Sequence, residues 1–502
     1  MSSRKSPGLK AHPRKLASKT KPGPARLPSA LASALASALA SALRLSPEGR
    51  LSPEGRLSPE GRLSPEGRLS PEGRIGPEGS SPQARGFSKL EFLSLGCDKN
   101  LVDTEKFLAR LKAGGFQIAA PGRGEVMLIN TCSFIDAAKE ESIEHVLSAV
   151  ARKQSGGLKL IIVTGCLVEL YREELRKEIP EVDCWLSYSE LTELMAGARP
   201  AARIITTPRH LSYLKIAEGC DRGCAFCVIP RIRGGFRSMS EPGLLKEAEY
   251  LDSCGVKELN LVAQDLCDYG KDTGKSLVGL LKQILARTKI PWLRLFYLNP
   301  EGITGELIEL IAREKRICKY LDLPFQHVSE PVLKAMGRAA REKKIRSLVS
   351  ELKSRIPGVS LRGTALVGFP GETRDDFEKL LSFVEESEFD WLGVFAFSPQ
   401  PLAGAASLPG QVAESVAARR REELEMLWRN LAEDGNRGKI GKVVELLVDS
   451  KSDLGFDYQG RTQAQGFEID GVVQLRGKFQ PGKFYRVKVI DSRGVDLVGK
   501  KI

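Results

Sequence analysis

The chain has 502 residues, 42% of them hydrophobic and 28% charged, with ten cysteines and a formal net charge of +13. That length implies about two to four domains, and no run approaches the ~18 consecutive apolar residues of a membrane-spanning helix. The cysteines lack the dense spacing of a secreted disulfide scaffold, so a reducing cytoplasm suits them.

The charge is unevenly spread. Residues 1–88 hold fifteen Lys/Arg against six Asp/Glu, so most of the excess belongs to a tail and says little about nucleic-acid binding by the rest. Residues 1–44 contain no acidic residue, and the unit Leu-Ser-Pro-Glu-Gly-Arg then runs five times in tandem over residues 45–74. A six-residue unit with Pro and Gly in every copy buries no core, so the composition predicts a disordered tail over 1–88. An Arg/Ser-rich, acid-poor start also has the composition of a transit peptide.

From Lys89 the pattern changes. Apolar runs at Leu90–Gly96, Val126–Thr131 and Leu160–Gly165 are followed at once by Cys97, Cys132 and Cys166. Helical patterns at Thr104–Ala113 and Asp136–Arg152 separate them. Strand–helix–strand order predicts a parallel sheet with right-handed crossovers, and ligands of such sheets gather beyond the carboxyl ends of the strands. The spacing therefore places three thiols along one sheet edge. The other reading is three small residues in tight strand-end turns. Cys184, Cys254, Cys267 and Cys318 lack this placement and read as packed thiols.

After a connector over 186–212, strands are predicted at Tyr213–Glu218, Glu258–Ala263, Trp292–Leu298, Tyr320–Pro324, Ser360–Val367 and Trp391–Phe397. Helices intervene, among them Glu241–Cys254 and Asp375–Glu386. Six β/α units are too few to close an eight-stranded barrel. Cys220, Cys224 and Cys227 follow the first of these strands in the spacing CxxxCxxC. Thiolates are strong ligands of iron–sulfur clusters and zinc. A full site takes four protein ligands, so three thiolates on a cube of four irons leave one iron open. A zinc knuckle completed by His210 is the competing reading. The same rim carries Glu218, Gln264, Asp265, Gln326 and His327. Gly368-Phe369-Pro370-Gly371-Glu372-Thr373 follows a strand and opens a helix, so its amides could approach a ligand. Glu218 reads as a candidate or as a solvated strand-end carboxylate, and His327 as a hydrogen-bonded structural residue. Residues 411–436 predict a connector helix. Beyond it Val443–Val448 and Phe484–Ile490 are strand-like, the second with Tyr485, Val487 and Val489 alternating with Arg486 and Lys488, which predicts a small β-barrel.

Cys220-Asp221-Arg222-Gly223-Cys224-Ala225-Phe226-Cys227 resembles the signature of radical S-adenosylmethionine enzymes. Ser94-Leu95-Gly96-Cys97-Asp98-Lys99-Asn100-Leu101-Val102-Asp103, Asn130–Asp136 and Thr164-Gly165-Cys166-Leu167 sharpen this, because together they resemble the methylthiotransferase family. The resemblance runs from about Lys89 to Ile502. It implies an α/β fold class: an N-terminal α/β domain over 89–205 with an auxiliary 4Fe–4S cluster on Cys97, Cys132 and Cys166, and an open six-unit radical domain over 206–436 with a second 4Fe–4S cluster on Cys220, Cys224 and Cys227. A TRAM-like β-barrel over 437–502 follows. S-adenosylmethionine is the implied cofactor, with Phe226, Gln264, Gly368, Gly371 and Glu372 expected at its site.

The flanks Gly96-Cys97-Asp98-Lys99-Asn100, Tyr213–Gly219 and Glu468–Gly471 resemble the branch that modifies the β-carbon of an aspartate in small-subunit ribosomal protein twelve. The sister branch methylthiolates an adenosine in transfer RNA. Asp98 stands where Pro is usual, Ser238–Ser240 interrupts the usual run, and Cys267 replaces a common Thr or Ser; none touches a cluster ligand. The implied partners are that ribosomal protein, an electron donor, a sulfur donor and RNA through the β-barrel, in the cytoplasm and away from any membrane.

Overall fold

The computed structural model describes residues 89–113, 116–187, 190, 203–339 and 341–502. The expected disordered tail lies outside the described residues.

The first unit is a parallel sheet. Strands β1 (Lys89–Ser94), β3 (Val126–Thr131) and β4 (Leu160–Gly165) form its centre, with short β2 (Gln117–Ile118) and β5 (Cys184–Leu186) at the edges, in the order β2-β1-β3-β4-β5. The central strands read as unbroken apolar runs because both faces are covered. Leu90, Val126, Leu128, Leu160 and Ile162 pack beneath helix α1 (Asp98–Ala113). Ile129, Ile161 and Val163 face the other way, with Val146 of α2 (Asp136–Gln154) and Leu167 and Val168 of α3 (Cys166–Glu178).

Helix α1 begins at Asp98, a turn and a half before the expected Thr104. Its early residues are polar yet buried, so apolar periodicity could not mark them. Asn100 Nδ2 donates to the carbonyls of Leu95 and Thr131, each at 3.1 Å, and Asn130 Nδ2 donates to Thr104 Oγ1 at 2.9 Å.

The second unit holds six parallel strands: β6 (Leu211–Lys215), β9 (Glu258–Val262), β10 (Trp292–Leu295), β11 (Ile317–Gln326), β12 (Ser360–Val367) and β13 (Trp391–Ala396). They run in the order β13-β12-β11-β10-β9-β6, with no pairing between the two end strands. This is the expected open β/α barrel. A small hairpin of β7 (Ala217–Glu218) and β8 (Arg237–Ser238) flanks the cysteine loop, with α4 (Ile229–Arg233) between its strands. Outside the sheet lie α5 (Glu241–Ser253), α6 (Leu277–Arg287), α7 (Gly305–Arg313), α8 (Glu330–Ala335), α9 (Glu342–Arg355) and α10 (Arg374–Ser387). Their apolar faces share one core with the strands. Two strand ends carry non-glycine residues in the left-handed region, Tyr297 at φ 57° and Gln326 at φ 69°.

The 24-residue helix α11 (Glu414–Arg437) leads to a closed barrel of β14 (Val443–Lys451), β15 (Tyr458–Arg461), β16 (Val473–Leu475), β17 (Phe484–Arg493) and β18 (Asp496–Lys501). Its segment 461–470 caps the amino-terminal ends of the central strands. Ser360 Oγ donates to the Ala464 carbonyl at 3.1 Å, Trp391 Nε1 donates to the same oxygen at 2.6 Å, and Tyr320 Oη donates to Asp470 Oδ2 at 2.8 Å. Arg461 is buried between Glu258 (Nη2–Oε2 2.7 Å) and Asp449 (Nε–Oδ2 2.8 Å). His210, the fourth ligand a zinc knuckle would need, is instead buried with Nε2 3.0 Å from Asp449 Oδ1.

Candidate active site between two cysteine trios

The first trio stands at the carboxyl ends of three adjacent strands. Cys132 follows β3, Cys166 follows β4, and Cys97 lies three residues past β1. Glycine makes this approach possible. Gly96 has φ +83°, and a Cβ there would lie 2.7 Å from Cys132 Cβ and 2.8 Å from its Sγ. Gly165 has φ +103°, and a Cβ there would lie 2.3 Å from Asn130 Oδ1. Burial pushes the Cys166 thiol up to about 11 and raises that of Cys132, and the charge of Cys97 adds to both. Left alone, these thiols stay protonated near neutrality. A bound cation reverses that preference, because it takes the thiolate as ligand.

The second trio lies on the loop after β7. Ala225 fixes the loop twice: its N–H donates to the Met336 carbonyl at 2.9 Å, and its carbonyl accepts from Ala405 N at 2.8 Å. Arg222 clamps it to the rim through Asp265 Oδ2 at 2.6 Å and Glu301 Oε2 at 3.0 Å. N–H groups point at the sulfurs. Arg222 N lies 3.4 Å from Cys220 Sγ, Ile229 N 3.4 Å from Cys227 Sγ, and Arg338 Nη1 3.8 Å from Cys224 Sγ. Burial pushes Cys227 up to about 12. Soft donors with N–H groups on the sulfur fit an iron–sulfur cluster. Among the described residues no three His, Cys, Asp or Glu side chains converge as the ligands of a single ion would. A cube is gripped differently, since each thiolate binds its own iron.

One buried ionic bridge joins the two trios. Arg233 Nη2 lies 3.8 Å from Cys166 Sγ and donates to Asn100 Oδ1; its Nη1 donates to Asp103 Oδ2 at 2.8 Å and lies 3.6 Å from Glu218 Oε2. Lys215 pairs with both Asp103 and Glu218, the latter at 2.6 Å. Glu218 Oε1 also accepts from Gln264 Nε2 at 3.1 Å. Glu218, two residues before Cys220, is thus a buried, ion-paired group and not a solvated one. The motif flanks contain Asn100, Asp103 and Lys215, but nothing in their spacing reveals this meeting. Arg233 carried no signal beyond its distance of six residues from Cys227.

The other expected site residues fall into two groups. Phe226 is half-buried against Val332, Met336, Phe369 and Ala405, beside the cysteine loop. Gln264 faces Glu218, and its own Oε1 is buried with no protein partner. Gly368, Gly371 and Glu372 are fixed by contacts within the protein. A Cβ on Gly368 would lie 2.3 Å from Ala417 Cβ, the Gly371 N–H donates to the Gly410 carbonyl at 2.8 Å, and Glu372 Oε1 accepts from Arg420 Nη1 at 2.7 Å. His327 is buried. Its Nδ1 accepts from Ser329 N at 2.9 Å, and burial holds it down to about 4, so the ring is neutral.

A CxxxCxxC loop at the carboxyl mouth of an open six-strand β/α barrel defines a radical S-adenosylmethionine enzyme, here with a second cysteine trio beside it. Family models agree along the chain. Residues 89–187 match an uncharacterised protein family, UPF0004, residues 214–384 the radical SAM superfamily, and residues 440–502 the TRAM domain. A relative from Geotalea uraniireducens, the ribosomal protein uS12 methylthiotransferase RimO, is 42% identical over 438 residues, covering 82% of this chain and 98% of its own. Relatives of the same name from Geobacter sulfurreducens (41%) and Clostridioides difficile (39%) each cover 82% of this chain and 98% of theirs. A solved radical S-adenosylmethionine methyltransferase, TsrM from Kitasatospora setae, is a distant likeness: TM-score 0.47, 14% identity, over 63% of this chain and 76% of that one. The chain belongs to the methylthiotransferase family of radical S-adenosylmethionine enzymes, in the ribosomal-protein branch. It is an enzyme that uses S-adenosylmethionine with an iron–sulfur cluster.

Proposed function

We propose that this chain methylthiolates the β-carbon of an aspartate in ribosomal protein uS12, using two 4Fe–4S clusters. Cys97, Cys132 and Cys166 would hold the auxiliary cluster, and Cys220, Cys224 and Cys227 the radical one. The observation that carries the reading is Arg233, which reaches from Cys166 to Glu218 and so ties the two trios into one buried network. Two independent redox sites would need no such tie; a transfer between them does. An unactivated C–H bond has no usable acidity, so a general base could not open it. When bound, the clusters and S-adenosylmethionine supply one-electron chemistry for that bond and a place for the transferred sulfur.

The chain's own residues bind, orient and enclose. Glu218 and Gln264 present polar atoms beside Cys220, and Phe226 gives an apolar wall. In this reading Phe226 and Gln264 touch the cofactor. Gly368, Gly371 and Glu372 shape its wall through Ala417, Gly410 and Arg420. The division into 89–205, 206–436 and 437–502 follows the three jobs of auxiliary site, radical site and RNA-contacting barrel. An electron donor and a sulfur donor complete the reaction, which belongs in the cytoplasm with the ribosome.

The test is mass spectrometry of uS12 and of transfer RNA from a strain lacking the gene. Loss of a methylthio mass from the uS12 aspartate is the expected result. Loss from a transfer-RNA adenosine, with uS12 unchanged, would overturn it.

A further inference from the structure

A buried cation needs a partner, because leaving water strips its hydration and only an opposing charge restores the loss. Seven lysine and arginine side chains are buried among the described residues. Arg203, Lys215, Arg233, Arg294, Arg420 and Arg461 each pair with at least one carboxylate. Lys99 is the seventh. It exposes 7% of its surface, and among the described residues it forms no ion pair. Its Nζ rests 3.4 Å from the centre of the Tyr297 ring, a contact weaker than the ion pairs its peers make. The neighbouring carboxyl of Asp98 attracts it from beyond ion-pair distance, and itself accepts hydrogen bonds from the hydroxyls of Tyr213 and Tyr297.

The position of this charge matters. Lys99 lies two residues past Cys97, in the first turn of α1. Tyr297 lies just past β10, on the carboxyl rim of the central barrel, and is held at φ 57°. A bulky residue takes that conformation only under constraint, and such strain gathers at functional sites. The Cys97 thiol is near enough to act electrostatically on the Tyr297 hydroxyl. The ammonium therefore stands where the rims of the two units meet, between one cysteine trio and the mouth that carries the other.

We infer that Lys99 is the counter-ion for the side-chain carboxylate of the aspartate to be modified, a specificity contact that rests on the aspartate reading above. A carboxylate is one bond from the β-carbon. Fixing it on Lys99 and the edge of Tyr297 presents the β C–H bonds toward the space between the trios. An asparagine offers no charge to that site, and leaves the ammonium with only the Tyr297 ring and the more distant Asp98 carboxyl.

The experiment compares synthetic uS12 peptides with Asp or Asn at the target position. Their affinities are measured on the cluster-loaded enzyme without reductant, for wild type, Lys99→Met, Lys99→Gln and Lys99→Arg. Iron content and thermal unfolding check that each variant is assembled. Wild type should prefer the Asp peptide by at least ~30-fold, the scale of losing one partner of a buried charge pair. Lys99→Met and Lys99→Gln should erase that preference, and Lys99→Arg should restore part of it. An unchanged preference in both neutral variants overturns the inference, as does a loss of S-adenosylmethionine affinity in place of a loss of discrimination. If, in a parallel assay with reductant, the wild type modifies neither peptide, the aspartate reading itself fails and Lys99 falls with it. Modification of the Asp peptide with discrimination untouched by Lys99 removes only the inference about Lys99.

Discussion

Arg233→Met is the sharpest perturbation of the bridge between the trios. The guanidinium contacts Asp103 at 2.8 Å and Glu218 at 3.6 Å, and all four charged side chains of the network are 2–4% exposed. Without Arg233, two buried carboxylates are left to share Lys215 among the described residues. Breaking one partner out of a buried pair costs ~3–5 kcal/mol, since the orphaned charge keeps its desolvation cost. Asp103→Asn alone should also destabilise, because Arg233 and Lys215 then face one carboxylate. The double variant leaves Lys215 opposite Glu218, one charge against one. It should therefore be less damaged than the sum of the singles, by ~1–3 kcal/mol. Urea unfolding of the cluster-loaded protein measures this, with the ratio of methylthiolated product to S-adenosylmethionine cleaved as the functional readout. That ratio should fall in Arg233→Met, because the bridge spans both sites. Additivity of the two variants within ~0.5 kcal/mol would refute the network.

Further outcomes follow from other sites. Cys220→Ala should abolish both cofactor cleavage and product, whereas Cys97→Ala should keep cleavage and stop sulfur insertion; 5′-deoxyadenosine and peptide mass report the two separately. Burial opposes ionisation of Glu258, but Arg294 and Arg461 outweigh it and hold the carboxyl down to about 2. A depressed carboxylate stabilises above its unfolded value and loses that contribution as pH falls through the folded one. The stability gap between wild type and Glu258→Gln should thus be full at pH 7 and shrink from about pH 4.5 toward about 2, read from urea midpoints across that window. His327 is held down to about 4 by burial, so its unfolded form takes a proton first as pH falls. Stability should drop between ~6.5 and 4, and His327→Gln should remove that part of the slope. Gly368→Ala combines a φ of +73° with a Cβ 2.3 Å from Ala417 Cβ. Strain and overpacking should cost ~2–6 kcal/mol together, and Ala417→Gly should recover only the packing share.

The strand positions were legible because parallel strands covered on both faces leave apolar runs, as Val126–Thr131 and Leu160–Gly165 do. The place of Cys97, Cys132 and Cys166 followed from those runs and the strand-end rule. What escaped was everything set by one unit meeting another. Asn100 and Asp103 are polar helix residues whose burial depends on Arg233, 130 residues away from Asp103. Glu218 read equally as a site candidate or as a solvated carboxylate, because its partners, Lys215 apart, are distant in sequence. The glycine turn at 368–373 gave no sign that Gly368 must also be small for α11 to pack against it. Two-residue β2 is too short to carry any period.

The capped amino-terminal end of the central barrel gives these contacts a common sense. Arg461 and Asp470 of the C-terminal barrel occupy that end through Glu258 and Tyr320. Entry to the interior is left to the carboxyl rim, and there Arg233 links Cys166 of one trio to Glu218, two residues before the other. The joint between them is ionic where an apolar one would also have held. Apolar surfaces tolerate small slips, because their attraction is non-directional. Arg233 tolerates none: a guanidinium has a fixed fork, and its Asn100, Asp103 and Glu218 partners lie on both units. A shift that breaks one of these bonds strands a buried charge. The bridge thus sets the separation of the two trios, the quantity on which a transfer between them depends.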